Sequence, residues 1–167
     1  KCENFIKKKV NSQFIALTQN CTSSLEISMI LLNLKKDDEV IMPSYTFTST
    51  ANAVLLRGAK PVFADVLPDQ NIDPSAIQRL ITKKTKAIMA VHLTGRSCDM
   101  DSILKIARKN NLLVIEDCAQ AFGSKFGGKL CGTFGDVGCF STHPLKNFNG
   151  MGDGGFVITK KAAIAKI

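Results

Sequence analysis

Short, almost wholly apolar runs separated by helical segments recur along most of the chain, and this alternation restricts the fold more than any single motif does. Glu39 to Met42, Pro61 to Ala64, Ala87 to Val91, Leu112 to Ile115 and Val137 to Ser141 each read as a strand. Helices are expected over Ser44 to Gly58, from Asp73-Pro74 through Leu80, and over Asp99 to Asn110. Apolar strands alternating with helices belong in a mostly parallel sheet covered on both faces, and in such sheets ligands gather at the carboxyl ends of the strands. The residues that follow strands therefore carry the information. They are Ser44, Tyr45 and Phe47 after the first strand, Asp65 after the second, His92 after the third, Glu116 and Asp117 after the fourth, and Ser141 to Lys146 after the last.

Ahead of this pattern the text is less decisive. Residues 1–19 mix lysines with Phe5, Ile6, Val10, Phe14 and Ile15 in a way that selects neither helix nor strand. From Asn20, the run N-C-T-S-S-L-E leads into Leu25, Ile27, Met29, Ile30, Leu31, Leu32 and Leu34, a buried helix, apolar nearly all round, with Thr22 and Ser23 as N-cap candidates. A helix start offers unpaired N–H groups and a partial positive charge, and hydroxyls beside it add donors for an anion.

Composition narrows the function. At 167 residues and 45% hydrophobic, the chain supports one core. It begins at Lys1 without an initiator methionine and ends as a Lys/Ala-rich helical segment opens, so it is read as one partial domain of a longer protein. No apolar run approaches the roughly 18 residues that span a bilayer. Six cysteines, without C-x-x-C pairs and several within apolar runs, fit a reducing, cytoplasmic setting and no metal site. The net charge of +8 is dispersed apart from Lys7, Lys8 and Lys9, which argues against a nucleic-acid binder and suits an anionic small molecule.

Two glycine-rich stretches differ in meaning. The G-x-x-G-x-x-G at Gly132, Gly135 and Gly138 precedes a strand and opens no helix, which excludes a dinucleotide fingerprint. In the second stretch, the strand ending at Ser141 breaks at Pro144, presents Lys146, and passes into Gly150, Gly152, Gly154 and Gly155, glycines expected to admit something bulky beside the lysine. A lysine amine to hold an aldehyde, a carboxylate to keep a ring nitrogen protonated, a flat side chain to stack on the ring and donors for a phosphate together describe pyridoxal phosphate. Lys146, Asp117, Phe47 or Tyr45, and Thr22, Ser23 and Ser141 fill those places.

The blocks C-T-S-S-L-E, D-E-V-I-M-P-S-Y-T-F-T-S-T-A-N-A-V, G-A-K-P-V-F-A-D-V, I-D-P, T-K-A-I-M-A-V-H-L-T-G, V-I-E-D-C-A-Q-A and G-C-F-S-T-H-P-L-K-N follow one another between Asn20 and Thr159. In this order the chain resembles the DegT/DnrJ/StrS family of pyridoxal-phosphate-dependent sugar aminotransferases. The resemblance implies a three-layer α/β fold with helices on both faces of a mostly parallel sheet, the large domain of the aspartate-aminotransferase fold type (PLP fold type I). Residues 1–167 are then a partial cofactor-binding large domain, and a small C-terminal domain lies outside the chain.

By position, the resemblance makes Lys146 the Schiff-base lysine, Asp117 the partner of the pyridine nitrogen and Gln120 the neighbour of the cofactor's phenolic oxygen. Phe47 takes the stacking position, and Thr22, Ser23 and Ser141 the phosphate positions. His92 and His143 are expected in supporting, hydrogen-bonded roles. The implied reaction moves an amino group from an amino acid, by resemblance glutamate, to a nucleotide-linked keto sugar for cell-surface polysaccharide or secondary-metabolite synthesis, in a homodimer. Cys21 stands where many members have glycine, and Cys-Thr there resembles the branch acting on thymidine-diphosphate-linked 4-keto-6-deoxy sugars. A sugar dehydratase of the same family is the alternative that Lys146 opposes, since such enzymes are expected to carry histidine there. A non-catalytic binding or regulatory fragment is the other alternative.

Overall fold

The structure is a computed structural model and describes residues 1–166. The chain opens with helix α1 (Cys2–Val10), strand β1 (Phe14–Thr18), helix α2 (Cys21–Leu31), strand β2 (Glu39–Pro43), helix α3 (Thr48–Leu55) and strand β3 (Lys60–Ala64). Helix α4 (Pro74–Leu80), strand β4 (Thr85–Val91), helix α5 (Met100–Lys109) and strand β5 (Leu113–Asp117) follow. The short strands β6 (Lys125–Phe126) and β7 (Lys129–Leu130), then β8 (Val137–Ser141), β9 (Gly155–Thr159) and helix α6 (Ala162–Ala165) complete it.

Seven strands form one sheet in the order β1-β9-β8-β5-β4-β2-β3, with β6 and β7 as a separate hairpin. Strands β3, β2, β4, β5 and β8 pair in parallel, and β9 runs antiparallel to both β8 and β1. The mostly parallel sheet expected from the sequence is thus present, with β9 its reversed strand.

Alternation along the strands sorts side chains between the two covering layers. Val40 and Met42 of β2, with Met89 of β4, pack beneath α2 and α3, whereas Ile41 and Ile88 pack against α4 and α5. Burying a large apolar side chain contributes roughly 1.5–3 kcal/mol, so these layers, and not intrinsic propensity, hold a helix as short as α4. Helix α1 lays Ile6 and Val10 on Phe140, Phe156 and Ile158 of β8 and β9. The N-terminal text was undecided because α1 is lysine-rich and short, and because β1 is an edge strand that leaves Leu17 half exposed.

Two boundaries differ from expectation. The helix read from Ser44 begins at Thr48, because Ser44 N–H is taken by the Ala64 carbonyl at 2.8 Å and Phe47 stays extended (φ −74°, ψ 146°). Helix α2 is capped not by Thr22 or Ser23 but by Asn20, whose side-chain oxygen accepts from Ser23 N–H at 2.9 Å. An asparagine serves this position as well as a hydroxyl residue does, and it places Thr22 and Ser23 inside the first turn.

The turn entering β8 explains the first glycine-rich stretch. A Cβ at Gly132 (φ +85°) would fall on the Phe140 ring, and one at Gly135 would lie 2.5 Å from the Val114 carbonyl oxygen. Drawn this close to β5, the turn aims the N–H groups of Gly132, Phe134 and Gly135 at the Glu116 carboxylate, at 2.6, 2.7 and 2.6 Å. His92 Nε2 lies 3.0 Å from the same carboxylate. The glycine loop does bind an anion, and the anion is the protein's own.

Gly128 (φ +82°) also adopts a left-handed conformation, but open space surrounds the position of its missing Cβ. Gly132→Ala is therefore expected to lower stability by roughly 1–3 kcal/mol more than Gly128→Ala, the added amount being the overpacking against Phe140. Urea unfolding of both variants checks this; equal losses would mean that the Gly132 turn is not close-packed.

Candidate active site

The carboxyl ends of β2, β4, β5 and β8 and the first turns of α2 and α3 enclose a cavity of about 340 Å³. Thr22, Phe47, Asp117, Gln120, Ser141 and Lys146 all line it. Ser23 and Tyr45 do not, and Asp65 lies on the exposed side of the sheet edge, outside it. Strand periodicity separates the neighbouring carboxylates of β5: Asp117 faces the cavity, and Glu116 points to the opposite face and its glycine loop.

Asp117 is buried, at 4% exposure. Its Oδ1 accepts from Ala119 N–H at 3.0 Å and its Oδ2 from the Thr50 hydroxyl at 3.0 Å. Burial raises its pKa above the ordinary carboxylate value, and the bonds from Ala119 and Thr50 oppose that rise. Among the described residues no lysine, arginine or histidine nitrogen lies within 4.0 Å of it. A buried carboxylate that faces a cavity without a protein cation favours a cationic ligand. The Cys21 thiol stands 4.0 Å from Oδ1, and burial pushes its pKa well up, so it packs as a neutral wall of the cavity.

Lys146 is carried by the segment between β8 and β9. Its N–H closes a tight turn onto the His143 carbonyl at 2.8 Å. The two residues after it are anchored on Phe122: Asn147 donates to the Phe122 carbonyl at 2.6 Å, and the Phe148 ring stacks on the Phe122 ring at 4.0 Å between centroids. His143 Nδ1 accepts from Leu145 N–H at 3.1 Å, which leaves Nε2 facing Asp153 at 3.6 Å.

The glycines of this segment were expected to admit a bulky neighbour. At Gly154 that neighbour is the Thr142 side chain, and at Gly155 it is the Asn20 backbone, 2.6 Å from where a Cβ would lie. Gly152 meets open space. The close approach is made by the protein's own chain, and it seats the Lys146 segment on the start of α2.

At that start, Asn20 takes Ser23 N–H with its side chain and Ser24 N–H with its carbonyl. The N–H groups of Cys21 and Thr22 find no acceptor among the described residues. The Thr22 and Ser49 hydroxyls lie 2.8 Å apart beside them. Gln120 Oε1 accepts from Thr94 N–H at 2.6 Å, which commits the amide oxygen and leaves the NH2 group of this cavity-lining residue as a donor. Thr94 itself sits in the left-handed region (φ +53°).

His92, Glu116 and Cys118 form the group of possible metal ligands found among the described residues, with one ligand atom from each within 4.8 Å of the others. Both His92 nitrogens are occupied, Nε2 by Glu116 and Nδ1 by Cys98 N–H at 3.1 Å, and the group is a hydrogen-bonded support for β5. Ser49, Thr46 and Thr50 were not singled out from the sequence. Their signal was the hydroxyl-rich T-F-T-S-T directly after a strand end, in which Thr46 and Thr50 are four apart and so share one side of a helix start.

An amine and a buried, cation-seeking carboxylate on one cavity, at the carboxyl edge of a parallel sheet, define an α/β ligand-binding domain. The sequence profile of the DegT/DnrJ/EryC1/StrS aminotransferase family matches residues 1–167, and the chain belongs to that family. It is 42% identical over 160 residues to GDP-perosamine synthase of Escherichia coli O157:H7, covering 95% of this chain and 44% of that protein. It is 46% identical over 148 residues to the UDP-N-acetyl-3-dehydro-alpha-D-glucosamine 3-aminotransferase of Acidithiobacillus ferrooxidans, covering 87% and 40%. Among solved structures, NtdA of Bacillus subtilis with bound cofactor PMP superposes with a TM-score of 0.91 at 36% identity, covering 98% of this chain and 37% of that one. The chain thus spans less than half the length of these relatives. No helix among the described residues is long and apolar enough to cross a membrane.

The raised pKa of Asp117 fixes the sign of a pH effect in the ligand-free protein. The folded state holds this proton more tightly than the unfolded state does, so the contribution of Asp117 to stability is best below the ordinary carboxyl value of ~3.9 and declines as pH rises toward the folded value. Asp117→Asn is expected to match the parent at low pH and to be the more stable of the two at neutral pH. Urea unfolding at pH 3.5 and pH 7.5 measures the difference, and a variant less stable than the parent at pH 7.5 would contradict it.

Proposed function

We propose that this chain is the cofactor-binding part of a pyridoxal-phosphate-dependent aminotransferase that moves an amino group from an amino acid to a nucleotide-linked keto sugar. The observation that carries the reading is the placement of Lys146 and Asp117 on one cavity, with the carboxylate buried and, among the described residues, no cationic nitrogen within 4.0 Å of it. Family membership and the nucleotide-sugar relatives support the reaction class.

The residues present fit pyridoxal phosphate. The unpaired amides of Cys21 and Thr22, with the hydroxyls of Thr22, Ser49 and Ser141, suit a phosphate at the start of α2. Ser23, assigned to the phosphate by resemblance, does not line the cavity, and Ser49 on α3 takes its place in the proposal. Phe47, 74% exposed at the mouth, offers a ring face, and Asp117 suits a protonated ring nitrogen. Gln120 presents its NH2 to an acceptor such as the phenolic oxygen. When bound, the cofactor supplies an aldehyde that amines capture and a ring that accepts electrons.

The protein's own part in the reaction follows from these positions. The Lys146 amine would hold the cofactor's aldehyde and, as a free amine, would carry a proton to and from the substrate carbon. Asp117 would keep the ring nitrogen protonated. Phe47 and the walls of Cys21 and Leu25 limit water around the ring. By family resemblance the amino donor is glutamate, the working unit is a homodimer, and residues 1–167 form part of a large domain.

Incubation with pyridoxal phosphate followed by borohydride reduction tests the reading. The parent is expected to develop a long-wavelength absorbance band and, after reduction, a mass increase on the peptide that carries Lys146. Lys146→Ala is expected to show neither. Labelling of a different lysine in the parent, or an identical band in the variant, would falsify the assignment.

A further inference from the structure

Thr50 is fully buried at 0% exposure, on the first turn of α3, and has no place in the family-based assignment of the site. A buried threonine inside a helix commonly returns its hydroxyl to a carbonyl of the preceding turn. Here the hydroxyl lies 3.0 Å from Asp117 Oδ2 and 2.8 Å from the Thr46 hydroxyl.

With Asp117 ionised, hydrogen counting fixes the direction of this chain. An ionised carboxylate only accepts, so the single hydroxyl hydrogen of Thr50 goes to Asp117, and Thr46 must then donate to Thr50. The second strong bond to Asp117, from Ala119 N–H, reaches the other carboxylate oxygen. One donor on each oxygen sets the plane of the group. Ala119 belongs to the same strand exit as Asp117 and follows it in any movement, whereas Thr50 comes from a different element and ties the carboxylate to α3. The neighbouring Ser49 meets Thr22 on α2, so one turn of α3 reaches both ends of the cavity.

We propose that Thr50 is the positioning residue of Asp117, aiming its carboxylate into the cavity, with Thr46 supplying the hydrogen bond that leaves Thr50 free to donate. The consequence for a bound ring nitrogen rests on the function proposed above. The coupling of Thr50 to Asp117 does not, because it is present in the ligand-free protein. The further titratable groups that act on Asp117 are His92, whose ring is committed to Glu116 and Cys98, Lys146 on the same cavity, and the buried thiols of Cys21, Cys118 and Cys139, which burial holds neutral.

Thr50→Val is nearly isosteric and removes the hydroxyl; Thr50→Ser restores it and removes only the methyl group. In the ligand-free protein, Thr50→Val is expected to extend the decline of stability with rising pH to higher pH, because the ionised carboxylate loses a donor. The same substitution in an Asp117→Asn background is expected to leave no pH-dependent difference. With pyridoxal phosphate, Thr50→Val is expected to weaken binding roughly tenfold, in line with a lost hydrogen bond to a charged group, and Thr50→Ser to recover most of that loss. A pH-dependent effect of Thr50→Val that persists in Asp117→Asn, or a serine variant that behaves like valine, overturns the proposal. If the parent takes up no cofactor, the proposed function fails, and the double-mutant comparison in ligand-free protein still decides the role of Thr50.

Discussion

The bonds that converge on the Glu116 carboxylate hold the site together from behind. Three backbone N–H groups of one tight turn and a histidine nitrogen meet its two oxygens in the interior. Leaving a buried carboxylate without partners costs several kcal/mol, so the turn, β5 and the end of β4 are bound into one unit. The turn leads directly into β8, and β8 pairs with β5 through Asp117 and Cys139. This sets Asp117 beside Cys139, two residues before the end of β8, and Asp117 and Ser141 open on the same cavity. A second tie at the same entry to β8 supports this register: Asp136 accepts from Val114 N–H at 2.7 Å and pairs with Lys161.

The two adjacent acids of β5 show how one dipeptide serves two purposes. Strand geometry sends their side chains to opposite faces, and the environments diverge from there. Glu116 meets a full set of donors from the chain. Asp117 meets one donor on each oxygen and then a cavity, so its charge is left incompletely compensated, and the raised pKa records that. Stability alone would favour an amide at position 117. A carboxylate kept there against its own desolvation is the mark of a group that serves a ligand.

The sequence made the sheet legible because each central strand is apolar on both faces, and the strand ends then pointed to Asp117, Ser141 and Lys146. What it did not make legible shares a physical cause: backbone geometry that no side-chain pattern encodes. Asn20 outcompetes the hydroxyls of Thr22 and Ser23 for the helix cap because its side chain reaches Ser23 N–H, and within the first turn Thr22 lines the cavity while Ser23 does not. Thr46 and Thr50 looked like ordinary helix residues until the bend at Phe47 set them facing β5. Strand β9 escaped notice because it follows directly on the glycine run and runs against the others.

That reversed strand also accounts for the glycines near Lys146. To return antiparallel beside β8, the chain must fold back over the carboxyl edge of the sheet, where the start of α2 already lies. Gly155 passes against the Asn20 backbone and Gly154 against Thr142, separations that any Cβ would prevent. On the other side of the segment, Asn147 and Phe148 fasten it to Phe122, which belongs to the exit from β5. Lys146 lies between the end of β8 and the anchor of Asn147 and Phe148 on the exit from β5, while the far end of the segment rests on the donor-rich start of α2. An amine on a surface loop would search many positions. Here the backbone beneath it is fixed from both sides, and the side chain alone is left to move.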